Sequence, residues 1–223
     1  MPLEKVNSKC VKGRADPGQA ILARTGAMLF LTGEVAFSPH TPGGAQGMPS
    51  MGGLMGLAGK MMAGEHAPMM AAHGPGEVHY GFLGHEVTVV QLDHGTSLQV
   101  ESSRLLAHDS ALQSSIVPLV QAGGVRGAVR GAVTGQGLFT TQLSGAGSVA
   151  MLSHGGTFDL AVDPGRQVVV DPQAYVGHTG QLRLDVSSDV SWRNAVGRGS
   201  GEAIQLVVSG QGVLFVQASE QKF

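Results

Sequence analysis

The sequence predicts an all-β chain built from three internal pseudo-repeats, with one or two short helices, on the strength of three observations. The first is glycine: 35 of 223 residues, against 13% charged and 4% aromatic residues, a composition that suits short strands joined by tight turns. The second is alternation, since runs such as EVHYGF, EVTVVQL and SLQVE change between apolar and polar residues with period two. The third is a Gly-x-Gly signature that occurs three times, as HGPGEV with Gly74 and Gly76, SGAGSV with Gly145 and Gly147, and SGQGVL with Gly210 and Gly212.

Taken in order, residues 20–37 alternate over short spans broken by Gly26 and Gly33, which predicts two or three strands at the edge of a sheet. Residues 39–63 change character, with Pro39, Pro42 and Pro49, many glycines and five methionines, and are expected to be a Gly/Met-rich loop or a short helix. Met51, Leu54, Met55, Ala58 and Met62 share one face of such a helix, although each glycine costs it about 1 kcal/mol relative to Ala. Strands return from Met69 to Gln113, separated by Gly84 and the Asp93-His94-Gly95 turn signal. Residues 109–118 fit no single pattern, 120–133 mix Gly with apolar residues as 49–62 do, and residues 188–196 around Trp192 look helical.

The repeat has a measurable period. Gly64 and Gly135, Gly74 and Gly145, and Gly84 and Gly155 are each 71 apart; beyond the next turn Gly95 pairs with Gly165, Val100 with Val170 and His108 with His178, 70 apart. A one-residue change inside a turn is what a duplication tolerates. The third copy looks split between the ends, with Ala23–Met28 matched to Gly177–Leu182. The expected units are therefore about 38–112, 113–182, and 183–223 completed by 1–37, within one domain whose termini meet in one sheet.

Charge and cysteine content exclude several classes. A net charge of −2 with no basic run leaves no electrostatic footprint for nucleic acid, so none is expected as partner. Cys10 is the sole cysteine, which rules out an internal disulfide framework. Glu4, Lys5 and Lys9 stand where a signal peptide needs an apolar run, and no stretch supplies the ~18 apolar residues of a spanning helix. The chain is expected to be cytoplasmic.

The set comprising GGLMG followed by Gly64-Glu65, LQVESSRLLAHD, GQGLFTTQLSGAGSVAMLSHGG, VVVDPQAYVGHTG and GSGEAIQLVVSGQGVLFVQAS resembles the altered inheritance of mitochondria protein 24 family over nearly the whole chain. The resemblance implies a double-stranded β-helix or flattened β-barrel, of the tryptophan RNA-binding attenuation protein-like kind, that assembles as symmetric oligomers. It implies no agreed activity. Mitochondrial relatives are associated with inner-membrane organisation and bacterial ones are mostly uncharacterised.

Candidate chemistry is thin. His66, Met69, Met70 and His73 combine thioethers with imidazoles, a donor set suited to copper(I), but methionines filling an apolar interface and histidines on a solvated edge explain them better, and no metal or other cofactor is expected. Residues 197–201, GRGSG, suggest a phosphate loop, yet the order around them is helix then strand, the reverse of what such a loop needs. Ser153, His154 and Asp159 lack the G-x-S-x-G elbow of a nucleophile. Seven of the ten methionines fall between 48 and 70, and Met51, Leu54, Met55 and Met62 are the expected interface. With Lys60 nearly alone as a cation there, membrane contact is possible but not favoured. The expected function is a non-enzymatic scaffold, a homo-oligomer with a trimer favoured, that binds a protein partner. The alternative is a small-ligand or metal-binding β-barrel, possibly enzymatic.

Overall fold

The computed structural model describes residues 3–40, 68–119, 139–187 and 205–221. Among them the only helical piece is a 3-10 turn, Ser102–Arg104; everything else regular is strand. The helices expected near 49–62 and 188–196 lie outside the described residues. β1 (Glu4–Asn7) is followed by one arrangement of strands repeated three times. The first unit is β2 (Cys10–Ala15), β3 (Ile21–Arg24), β4 (Met28–Gly33), β5 (Ala36–His40), β6 (Met69–His73) and β7 (Gly76–Tyr80). The second is β8 (Glu86–Leu92), β9 (Ser97–Glu101), β10 (Leu105–Asp109), β11 (Gln113–Pro118), β12 (Phe139–Ser144) and β13 (Gly147–Ser153). In the third, β14 (Thr157–Val162) and β15 (Val168–Val170) precede β16 (Tyr175–Ser187) and β17 (Gln205–Gln217), each continuous where its counterparts are two strands.

Pairing follows one rule. Within each unit the leading hairpin lies against one side of the last long strand: β2 on β7 and β3 on β6, β8 on β13 and β9 on β12, β14 and β15 on β17. The middle strands cover its other side: β4 and β5, β10 and β11, and β16. Neighbouring units then join edge to edge, β10 onto β3 and β16 onto β9.

The corner glycines explain the signature. Gly74, Gly145 and Gly210 have φ of +110°, +116° and +115°, backbone that favours glycine, and a Cβ on Gly74 or Gly210 would sit 2.2 Å from a carbonyl oxygen of the facing strand. A β-bulge recurs as faithfully, between Met28 and Phe30, Leu105 and Ala107, and Tyr175 and Gly177.

Three expectations need correction. The termini do not share a sheet: β1 and β2 belong to the four-stranded sheet β1-β2-β7-β4, whereas β17 lies in the sheet that runs β11-β12-β9-β16-β17-β14. The match of Ala23–Met28 to Gly177–Leu182 is out of register, because Gly33, not Gly26, occupies the place of Gly180. Both cross a glycine at the corner, Gly33 facing Gly76 and Gly180 facing Gly212, where a Cβ would lie 2.6 or 2.5 Å from backbone oxygen. The expected boundaries near 38, 113 and 183 all fall at the bend of the middle strand, and so divide the cycle at a different phase from the hairpin-first units. Residues 20–37 are only partly an edge, since β3 is interior to the sheet β5-β6-β3-β10-β13-β8. The undecided stretch 109–118 is a turn plus β11.

Among the described residues the buried side chains form three clusters. One, with Leu98, Val100, Leu105, Met151 and Val176, draws on all three units, and a second, with Ile21, Val78, Leu106 and Leu152, on the first two. The third, with Val162, Val170, Tyr175, Leu184, Leu206, Val208 and Leu214, takes its buried members from the third unit alone.

Candidate functional site

Of the residues proposed from sequence, Met51, Leu54, Met55, Met62 and His66 lie outside the described residues. Met69 is in the core with Ala71; Met70, next along the strand, faces the other way. His73 is exposed at the end of β6, its Nε2 3.1 Å from Ser38 Oγ. His73, His40, Ser38 and Ser110 rim an open depression of about 420 Å³ beside β3. Among the described residues no three His, Cys, Asp or Glu side chains converge as a metal group. His73, His79 and His85 fall on separate elements, since the Gly74 corner and the turn after Tyr80 divide them; His79 stacks on Phe30 at 4.1 Å and His85 meets His154 edge-on at 4.2 Å. Ser153 is buried and its Oγ donates to the Glu86 carbonyl.

The second and third units bury polar groups where they join. Arg104 occupies the position held by Ala27 and Ala174 in the other units. Its guanidinium donates to Gln217 Oε1 and to the Gln173 carbonyl at 2.7 Å, tying the second unit to the third. Burial lowers its pKa to about 10, partly opposed by Glu101, so it stays charged at neutral pH. His108 and His178 are equivalent residues of β10 and β16, both buried, and desolvation depresses each to about 4. His108 Nδ1 lies 2.9 Å from the Asp109 carbonyl and His178 Nδ1 2.8 Å from the Tyr175 hydroxyl.

The position matching these histidines in the first unit is Leu31, and around it the environment inverts. Met28, Leu29 and Phe30 are 46%, 56% and 52% exposed, whereas their counterparts Leu105, Leu106 and Ala107 are 5%, 0% and 0% exposed. β10 and β16 are covered by β3 and β9; among the described residues β4 pairs with β7 alone. In the third unit β15 pairs, among the described residues, with β17 alone, and Val169 is 53% exposed. Four of the seven large apolar side chains exposed among the described residues thus sit on two strand edges that lack a neighbour.

The chain matches the family model described as Mitochondrial biogenesis AIM24 across residues 3–219. It belongs to the AIM24 family. This is the family that the glycine and strand motifs resemble. A crystal structure of the Streptococcus pyogenes protein SPYM3_0169 shares the fold of this AIM24 chain, with a TM-score of 0.68 at 18% identity over 97% of this chain and 92% of that one. No curated protein matches the chain in sequence. No helix among the described residues of the AIM24 chain is long and apolar enough to cross a membrane.

Sequence reasoning on this AIM24 chain missed Met28, Leu29, Phe30 and Val169. The signal was there: Met28-Leu29-Phe30-Leu31 is an unbroken apolar run inside a strand, and such runs belong to strands covered on both faces.

Proposed function

We propose that this AIM24 chain is a non-enzymatic scaffold that assembles with copies of itself into a symmetric homo-oligomer and presents its remaining surface to a protein partner. The observation that carries this reading is the apolar edge Met28-Leu29-Phe30, about half exposed where the equivalent residues of both other units are buried. Exposed apolar surface gathered in one place, and not scattered singly, marks an association site. A trimer remains the favoured closed form, and Met51, Leu54, Met55 and Met62 are kept, on their sequence pattern alone, as an interface for the oligomer or the partner. The alternative of a ligand or metal barrel has less support, because Met69 is committed to the core and His73 lies against Ser38. Light scattering on the purified chain at micromolar concentration tests the assembly: a mass that is a multiple of one chain is expected, and a single-chain mass would overturn the reading.

A further inference from the structure

We propose that the joint of this assembly is head to tail: β4 of one chain pairs antiparallel with β15 of a second copy, Leu31 opposite Val169, Phe30 opposite Val170 and Thr32 opposite Val168. The proposal rests on the homo-oligomer reading above and specifies its interface.

The chain itself supplies the template. Inside it, the leading hairpin's second strand in one unit takes the middle strand of the next as neighbour, and does so twice in one register. Leu22 faces His108 across β3 and β10, and Gln99 faces His178 across β9 and β16. Equivalence across units is anchored on the corner glycines. Leu22, Gln99 and Val169 each pair with the residue three before the corner: Ala71, Gln142 and Val207. Leu31, His108 and His178 each pair with the residue four after it: Val78, Val149 and Leu214. By the same rule β15 should meet the middle strand of a following unit, and β4 the hairpin of a preceding one. The described residues contain neither, and among them β15 and β4 are not paired with each other.

Three further observations point to a second copy as occupant. The third core cluster, with Val170, Tyr175 and Leu214, takes its buried members from one unit, with the partly buried Leu119 packed against it from the second, while the other two clusters share buried members between units, so an incoming Leu29 would add what Leu106 adds to the second cluster. The other free edges each carry a proline or a charge: Pro39 in β5, Pro118 in β11, Arg183 and Asp185 in β16, Glu4 and Lys5 in β1, Glu86 in β8 and Asp159 beside the exposed Phe158 in β14. β4, MLFLTG, and β15, VVV, carry neither proline nor charge. Finally, the two edges differ from each other, so the contact is heterologous, and repetition of it gives a ring when the rotation closes. Phe30 stands where the internal joints have Ala107 and Gly177; its ring lies over His79, so this joint must house a larger side chain than they do.

Complementation distinguishes this contact from any other. Leu29→Lys blocks one edge and Val169→Lys the other, both at exposed positions, so far-UV circular dichroism should stay unchanged. Each variant alone is expected to fall to the mass of one chain. An equimolar mixture should form a dimer containing one of each, because each retains the edge the other has lost. The double variant should stay single. Wild-type mass in either single variant, or a mixture that stays single, overturns the joint while leaving the homo-oligomer reading intact; a monomeric wild type overturns both. If lysine unfolds a variant, Leu31→Cys and Val169→Cys chains mixed with a short bis-maleimide should cross-link to each other, and failure to do so overturns the proposed register.

Discussion

The joint between β9 and β16 and the edge of β4 are the same place in successive units, and they have opposite chemistry. In the joint, Gly177 lets two backbones approach so closely that a Cβ would stand 2.6 Å from the Gln99 carbonyl oxygen. Its neighbours Val176 and His178 are buried. On the open edge the same three positions hold Leu29, Phe30 and Leu31, the first two about half exposed. In the joint, glycine and a hydrogen-bonded histidine stand beside the buried Val176; on the open edge all three residues are large and apolar. A side chain's cost depends on what lies across from it, and here the repeat varies that neighbour while holding the backbone almost constant.

The strongest way to break the contrast is to exchange its sizes. Gly177→Val should destabilise the fold by more than about 3 kcal/mol, because the added carbons meet backbone that cannot rotate aside. Phe30→Ala at the equivalent open position, where a half-exposed ring gives up its stacking on His79, should cost about 1 kcal/mol in folding. Urea unfolding of both variants reads the difference, and equal losses would mean that the two places are not in opposite environments.

Next in size is pH. The folded rings of His108 and His178 resist protonation until about pH 4, whereas an unfolded histidine takes its proton near 6.5. The unfolded state therefore binds more protons between these values. Stability from each ring is complete above pH 6.5 and declines by up to about 3 kcal/mol as pH falls toward 4. The first unit carries Leu31 at this place, so His108→Leu should flatten part of that decline. Denaturant midpoints at neutral pH and at pH 5 check it: an unchanged slope would show that His108 is not the titrating group.

The smallest of these effects concerns Arg104. Ala27 and Ala174 show that the turn needs no long side chain at this position, and Arg104 adds a bridge from the second unit to Gln173 and Gln217 of the third. Arg104→Met should cost about 2 kcal/mol, the scale of lost hydrogen bonds from a charged donor. Hydrogen exchange should speed up first at Gln217 and its neighbours. Uniform acceleration across all three units would place the role of Arg104 in the common core instead.

Much of this was legible in the residues. Gly74, Gly145 and Gly210 announced equivalent corners because only glycine accepts φ near +110° against a facing carbonyl, and the pairs Val100 with Val170 and His108 with His178 were in correct register. The first unit was harder. Gly26 and Gly33 both follow short apolar runs and both have positive φ, but only Gly33 is pressed against a facing strand, and that contact is long-range. Met69 illustrates the same limit: next to Met70 and near two histidines it suggests a soft-metal ligand, yet strand alternation sends it into the core.

The sequence by itself determined that this is an all-β chain with three glycine-cornered repeats, because backbone strain at a corner is a local property that a single residue must meet. Only the tertiary structure decided which copies of an equivalent edge are covered. Met28–Leu31 is an unbroken apolar run where Leu105–His108 and Tyr175–His178 each end in a histidine, but a local run does not say which strand lies across from it. The difference arises because, among the described residues, the units join at β3 with β10 and at β9 with β16, while β4 and β15 have no such strand across from them.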